Sequence, residues 1–231
     1  MDLNTLIQLD KQLLLSVNGS DSLFLDGLVM TLTTAATWIP LYISLFYIVL
    51  KNNENVQQIL LIVASAGLCV LLAGTVDDAI VKPMVARWRP ARDPEVGMMV
   101  DVVNGYRGGQ YGFFSAHASN TFSIAMFFCL LIRSRWLSIM LVFWSLINCW
   151  TRMYLGVHFP GDILCGLAWG GLVACFVYYL IYRKVYRHIA TGMQFISTQY
   201  TSTGYLLSDV DVVITVLMFS FTYSLVKACI I

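Results

Sequence analysis

The chain has 231 residues, 58% of them hydrophobic and only 12% charged, with a formal net charge of +1 and a mean hydropathy of +0.74. Soluble domains carry roughly a quarter charged residues, so this composition excludes a soluble globular class and identifies a membrane protein. The near-zero charge, with no basic block, gives no pull towards nucleic acid.

In chain order, no basic segment, short apolar core and small-residue cleavage site open the sequence, so no cleaved signal peptide is expected. Leu3, Leu6, Ile7, Leu13, Leu14 and Val17 instead recur at near-helical spacing, with Asp2, Asp10, Lys11 and Gln12 among them. This predicts an amphipathic helix that is too polar to span and suited to the membrane interface, broken at Asn18-Gly19-Ser20. Apolar runs follow at about 26–50, 56–81, 117–132, 136–156, 160–182 and 210–231. A spanning helix needs about 20 apolar residues, which predicts an all-α polytopic bundle of about six spans plus the N-terminal interfacial helix, as a single domain over 1–231. Pro40 in the first run and Gly67 and Gly74 in the second are tolerable in membrane helices, where neighbours re-satisfy freed backbone groups. Gly166, Gly170 and Gly171 read as a small-residue packing stripe. Cys69, Cys129, Cys149, Cys165, Cys175 and Cys229 lie in apolar runs with no Cys-x-x-Cys pair, and read as packing residues rather than disulfides or metal ligands.

Two long connections carry the polar residues. Trp88 to Phe114 holds Arg92 and Arg107, with Arg87 just before it, and all three read either as positive potential for an anion or as solvated charges paired with Asp93, Glu95 and Asp101. Arg183 to Ser208 carries His188, to which no chemistry is assigned.

Ionisable residues concentrate where runs end. Lys82 and Arg89, followed by Pro90, close the second run; Ser115-Ala116-His117 opens the third; Arg152, His158 and Asp162 lie between the fourth and fifth. By themselves these are either polar caps on membrane helices or a site for an anion. A nucleophilic imidazole needs a carboxylate to hold its tautomer and cations to hold an anionic substrate, and those types are present. If the runs alternate in direction, all three clusters meet at one membrane face. Helical spacing would put Lys82 and Arg89 on one side, with Asp78 one turn before Lys82 and Asp77 facing elsewhere.

With these residues in hand, the chain resembles the type 2 phosphatidic acid phosphatase family, integral-membrane lipid phosphatases related to vanadium haloperoxidases. The family pattern is Lys, six residues, Arg-Pro; then Pro-Ser-Gly-His; then Ser-Arg, five residues, His, three residues, Asp. Lys82 to Pro90 completes the first part, and Arg152, His158 and Asp162 match the third. Phe114, Ala116 and Thr151 replace the usual Pro, Gly and Ser, and the match occupies a core of 82–162.

The resemblance implies that His158 attacks phosphorus and Asp162 orients it, while His117 protonates the leaving oxygen. Lys82, Arg89, Arg152, Ser115 and the backbone of Ala116 would hold the phosphate, with no metal and no cofactor. If the family glycine adopts positive φ, Ala116 would be strained there. The implied substrate is an amphiphilic phosphate in the bilayer: undecaprenyl diphosphate, lipid A phosphate, phosphatidylglycerol phosphate or phosphatidic acid. Competing readings are an inactive lipid-phosphate-binding member, a transporter lined by charge and a haloperoxidase. The face opposite the motifs would hold six cations, Lys51, Arg133, Arg135, Arg183, Lys184 and Arg187, against eight on the motif face, Lys11, Lys82, Arg87, Arg89, Arg92, Arg107, Arg152 and Lys227, so the positive-inside rule does not decide the orientation. Resemblance to bacterial lipid phosphatases favours an inner-membrane protein whose site faces the periplasm.

Overall fold

The structure, a computed structural model, describes residues 2–189 and 197–230. Residues 190–196 of the second long connection and the last residue of the final run lie outside the described residues. All six apolar runs are helical, and among the described residues there is no β-strand beyond two isolated bridges.

The N-terminal helix α1 (Leu3–Leu15) begins at an Asp2 cap. The expected first span is not one helix but two, α2 (Leu23–Thr33) and α3 (Ile39–Asn52), meeting at 66° across a 3-10 turn at Ala35–Trp38. Thr34 is extended, and Pro40 lies in the first turn of α3, where its missing N–H costs nothing. Side chains repair the carbonyls freed by the break: Thr37 Oγ1 donates to Thr31 O at 2.7 Å, and Trp38 Nε1 donates to Leu32 O at 2.8 Å.

The second span runs continuously over Val56–Val85 as α4 (Val56–Val76), a π turn (Asp77–Val81) and α5 (Lys82–Val85). After it come α6 (Ala116–Ile132), α7 (Arg135–Tyr154) and α8 (Pro160–Phe176). α8 continues through a second π turn into α9 (Arg183–Ile189), and α10 (Leu207–Ala228) follows. Among the described residues, three helices can cross a membrane by length and composition, or four if the bent pair is one span. α6 is apolar but has only 17 residues; at a rise of about 1.5 Å per residue it is shorter than a hydrocarbon core of about 30 Å.

α6 is nevertheless the centre of the bundle. It packs against α4, α7 and α8, and lacking a polar face it is covered on most sides, as an all-round apolar helix should be. The glycine stripe acts as expected. A Cβ on Gly166 would lie 2.7 Å from Ser115 O and one on Gly170 2.5 Å from Ser119 O, so α8 meets α6 backbone to backbone. Lower in the bundle Trp38, Leu41, Leu45, Phe127, Trp144, Val213 and Leu217 form the core.

The two ends of the bundle differ. At one, Asn52 Oδ1 accepts from Leu206 N–H at 2.8 Å and Thr203 Oγ1 donates to Ile132 O at 2.8 Å, gathering the ends of α3 and α6 with the start of α10. At the other end all three ionisable clusters assemble beneath α1 and the Trp88–Phe114 loop.

Candidate active site

The turn between α7 and α8 shapes the site. α7 ends at Tyr154, and Gly156 has φ +62°; a Cβ there would also sit 2.3 Å from Val100 Cγ1, so glycine is required twice over. The chain folds back so that Val157 and His158 both donate their N–H to Arg152 O, at 3.1 and 3.3 Å. Pro160 opens α8, and Asp162 in its first turn accepts from Phe159 N–H through Oδ2 at 2.9 Å. His158 is thereby 2% exposed, with Nδ1 3.6 Å from Asp162 Oδ2 and Nε2 3.3 Å from Arg89 Nη1. Among the described residues that Nδ1 has no hydrogen-bond partner, and the Asp162 carboxylate facing it is slightly beyond hydrogen-bond length. Burial pushes the His158 pKa down to about 4, opposed by Asp162 and reinforced by Arg89 and Arg152, so the imidazole is neutral at neutral pH.

Arg89 arrives differently from expectation. The helix stops at Val85, because Ala86 is left-handed (φ +49°) and donates back to Lys82 O at 2.9 Å. The chain then runs extended: Trp88 bridges antiparallel to Tyr111, Arg89 N–H donates to Gln110 O at 3.3 Å, and Gly112 N–H donates to Arg87 O at 2.9 Å. Arg89 Nε donates to Tyr111 O at 3.0 Å and Nη1 to Val157 O at 3.2 Å. Gly108 makes room, since a Cβ there would lie 2.3 Å from Arg89 Nη1. Burial, and then the neighbouring Arg152, lower the Arg89 pKa. Two guanidinium groups crowded in this way would be relieved by a bound anion.

The same loop delivers the middle cluster. Ser115 is buried as the N-cap of α6, accepting from Ala118 N–H at 3.4 Å, and its own N–H donates to Asp162 O at 3.1 Å. Ala116 is the first residue of α6 and has no positive φ, so replacement of glycine brings no strain. Its N–H belongs to the first helical turn, whose donors lack intrahelical partners. His117 is exposed at the mouth, within electrostatic reach of Arg152, His158, Arg89 and Lys82.

Arg152 is 3% exposed, donates Nη1 to Thr33 Oγ1 and Nη2 to Tyr106 Oη (3.2 Å), and keeps a buried Nε without a partner. Lys82 pairs with Asp78 as expected, but also with the fully buried Asp77, at 2.8 Å. The expectation that Asp77 faces elsewhere is overturned by the π turn. Lys82 N–H bonds Asp77 O five residues back, which widens the turn and stacks position 77 over 82.

Sequence reasoning missed the role of Arg87. It donates Nη1 to Asp162 Oδ1 at 2.8 Å and Nη2 to Asp10 Oδ2 at 2.6 Å, joining α1 to α8. No local spacing signals a pair 77 residues apart. Arg92 and Arg107 are exposed, whereas Asp93 and Glu95 are taken by Lys11 at 3.2 and 2.8 Å.

Comparison with known proteins places the chain in a family. The PAP2 superfamily model matches residues 55–186. A lipid A 4′-phosphatase of Bacteroides thetaiotaomicron is 40% identical over 184 residues, 79% of this chain and 81% of that protein. A lipid A 4′-phosphatase of Porphyromonas gingivalis is 34% identical over 175 residues, 75% and 73% of the two chains. The crystal structure of a transmembrane PAP2 type phosphatidylglycerolphosphate phosphatase from Bacillus subtilis has the same fold, with TM-score 0.58 and 18% identity over 83% of this chain and 90% of that one. The chain belongs to the PAP2 superfamily and is an integral-membrane lipid phosphatase.

Proposed function

We propose that the protein removes the 4′-phosphate of lipid A at the periplasmic face of a bacterial inner membrane, through a phosphohistidine. The observation that carries the substrate is the 40% identity, over about four fifths of both chains, to a lipid A 4′-phosphatase. The mechanism rests on the family resemblance together with the site geometry. With the Nδ1 proton directed at Asp162, Nε2 of His158 carries the lone pair, which accepts from Arg89 Nη1 at 3.3 Å and attacks phosphorus once that guanidinium turns to the phosphate. The bond to the sugar oxygen breaks as N–P forms, and the departing oxygen takes a proton from His117. Water then attacks the phosphohistidine, giving up a proton to His117, and inorganic phosphate leaves. Lys82, Arg89, Arg152, Ser115 and the first-turn N–H of Ala116 hold the phosphoryl oxygens as charge develops.

Phosphate release from purified protein tests the reading with lipid A, phosphatidylglycerol phosphate, undecaprenyl diphosphate and phosphatidic acid side by side. Mass spectrometry should show lipid A losing one phosphate, from the 4′ position, faster than the others react. Faster release from any other lipid would reassign the substrate.

A further inference from the structure

Asp162 has two carboxylate oxygens, and the structure holds them separately. Oδ2 accepts from Phe159 N–H and faces His158 Nδ1, whereas Oδ1 accepts only from Arg87. The same guanidinium spends its other terminal nitrogen on Asp10, at 2.6 Å. Asp10 in turn accepts from Gly161 N–H through Oδ1 at 2.7 Å, so a residue of α1 serves an otherwise unpaired donor at the start of α8. The Arg87 guanidinium also lies over the Phe159 ring, 4.3 Å from its centre. Surface ion pairs are usually worth little. This one differs because Asp162 is fully buried and the fork geometry engages two carboxylates at once.

We infer that Arg87 and Asp10 are positioning residues for the reaction: together they fix the plane of the Asp162 carboxylate against His158, which makes the N-terminal helix part of the catalytic apparatus. The inference rests on the phosphohistidine reading. A carboxylate held at one oxygen only can turn about its axis, and a small rotation removes the acceptor from Nδ1 and with it the tautomer that leaves Nε2 free. The ion pairs of Arg87 go to Asp162 and Asp10 rather than to the proposed phosphate ligands Lys82, Arg89 and Arg152, so loss of either residue should act on the chemical step and spare binding. The link also ties the site to α1, which turns Asp10 and buried Lys11 inwards while Leu3, Leu6, Leu9 and Leu13 stay exposed.

The test compares full-length wild type, Arg87→Ala, Arg87→Lys and Asp10→Asn by steady-state kinetics and by rapid acid quench of the phosphoenzyme. Arg87→Ala should lower kcat and the rate of phosphoenzyme formation together, by about 10- to 100-fold, with KM changed less than about twofold. Added guanidinium ion should restore part of the loss in Arg87→Ala and leave wild type unaffected. Arg87→Lys should recover only part, because an ammonium cannot fork across two carboxylates; Asp10→Asn should show the same signature, smaller. An unchanged phosphorylation rate, an effect on KM alone, or a loss that tracks lowered thermal stability and resists guanidinium would overturn the inference. If Arg87→Ala does not fold, the Lys and Asn variants carry the same readouts. Failure to trap phosphate on wild type would instead sink the reading beneath it.

Discussion

His158 stands almost out of reach of water, held between a carboxylate on one nitrogen and a guanidinium on the other. His158→Ala should abolish turnover without unfolding the protein, and acid quench should find phosphate on wild type only; normal turnover would refute the nucleophile. His117→Ala should also be impaired, but less so with a nitrophenyl phosphate, whose leaving group needs no proton. Equal losses on both substrates would remove the general-acid role. The buried imidazole has a stability consequence too. Its pKa falls from 6.5 unfolded to about 4 folded, so the unfolded chain binds the extra proton in between. Stability should therefore fall as the solution is acidified from pH 6.5 to 4, a slope that His158→Gln should reduce in thermal melts. The order and spacing of the ionisable residues made this cluster legible in the sequence. The supports of Arg152 were not: Thr33 and Tyr106 lie 119 and 46 residues away from it and belong to no pattern.

Elements explain why a set of residues spread over 80 positions keeps its geometry. α6 and α8 touch through Gly166 and Gly170, and that close approach brings Ser115 N–H to Asp162 O. Gly170→Val should force the helices apart, costing about 1–3 kcal/mol. It should lower kcat as well as the melting temperature, whereas Gly67→Val, where nothing lies within 4 Å, should change neither. Retained activity in Gly170→Val would show the contact to be dispensable. Continuous apolar runs made the helices themselves readable. The break at 34–38 was not readable, because Thr and Ala sit comfortably in a span and Pro40 is equally at home in a kinked helix or at a helix start. The π turn was invisible for a similar reason: Asp-Asp-Ala-Ile-Val carries no signal for a five-residue hydrogen bond, so ideal α geometry put Asp77 on the wrong side.

At the scale of the whole molecule, α1 and the Trp88–Phe114 loop lie across one end of the bundle, tied together by Lys11 to Asp93 and Glu95 and by Asn18 to Asp101. Sidedness is the property of this assembly that decides which lipid pool is reached. With native cysteines removed, Met98→Cys, at a fully exposed loop position, should react with an impermeant thiol reagent in intact cells whose outer membrane has been permeabilised. Labelling only after inner-membrane lysis would place the site in the cytoplasm. Activity should survive excess chelator and be inhibited by vanadate, because on the proposed reading the phosphate charge is met by side-chain cations. Among the described residues, no group of three or more His, Cys, Asp or Glu is placed to hold a metal ion. Loss in chelator with recovery on adding Mg²⁺ would contradict this.

If Lys82 holds the phosphate as proposed, its pairing with both Asp77 and Asp78 gives the pocket its own rival for that anion. An incoming headgroup must win the ammonium from a carboxylate anchored in the bundle, and after hydrolysis that carboxylate is still beside it to take the ammonium back. Such built-in competition would weaken the grip on orthophosphate, the one product with no acyl chains to carry it away. Asp77→Asn should therefore make orthophosphate a stronger inhibitor, by several-fold in Ki, and shift the slow step of turnover towards product departure.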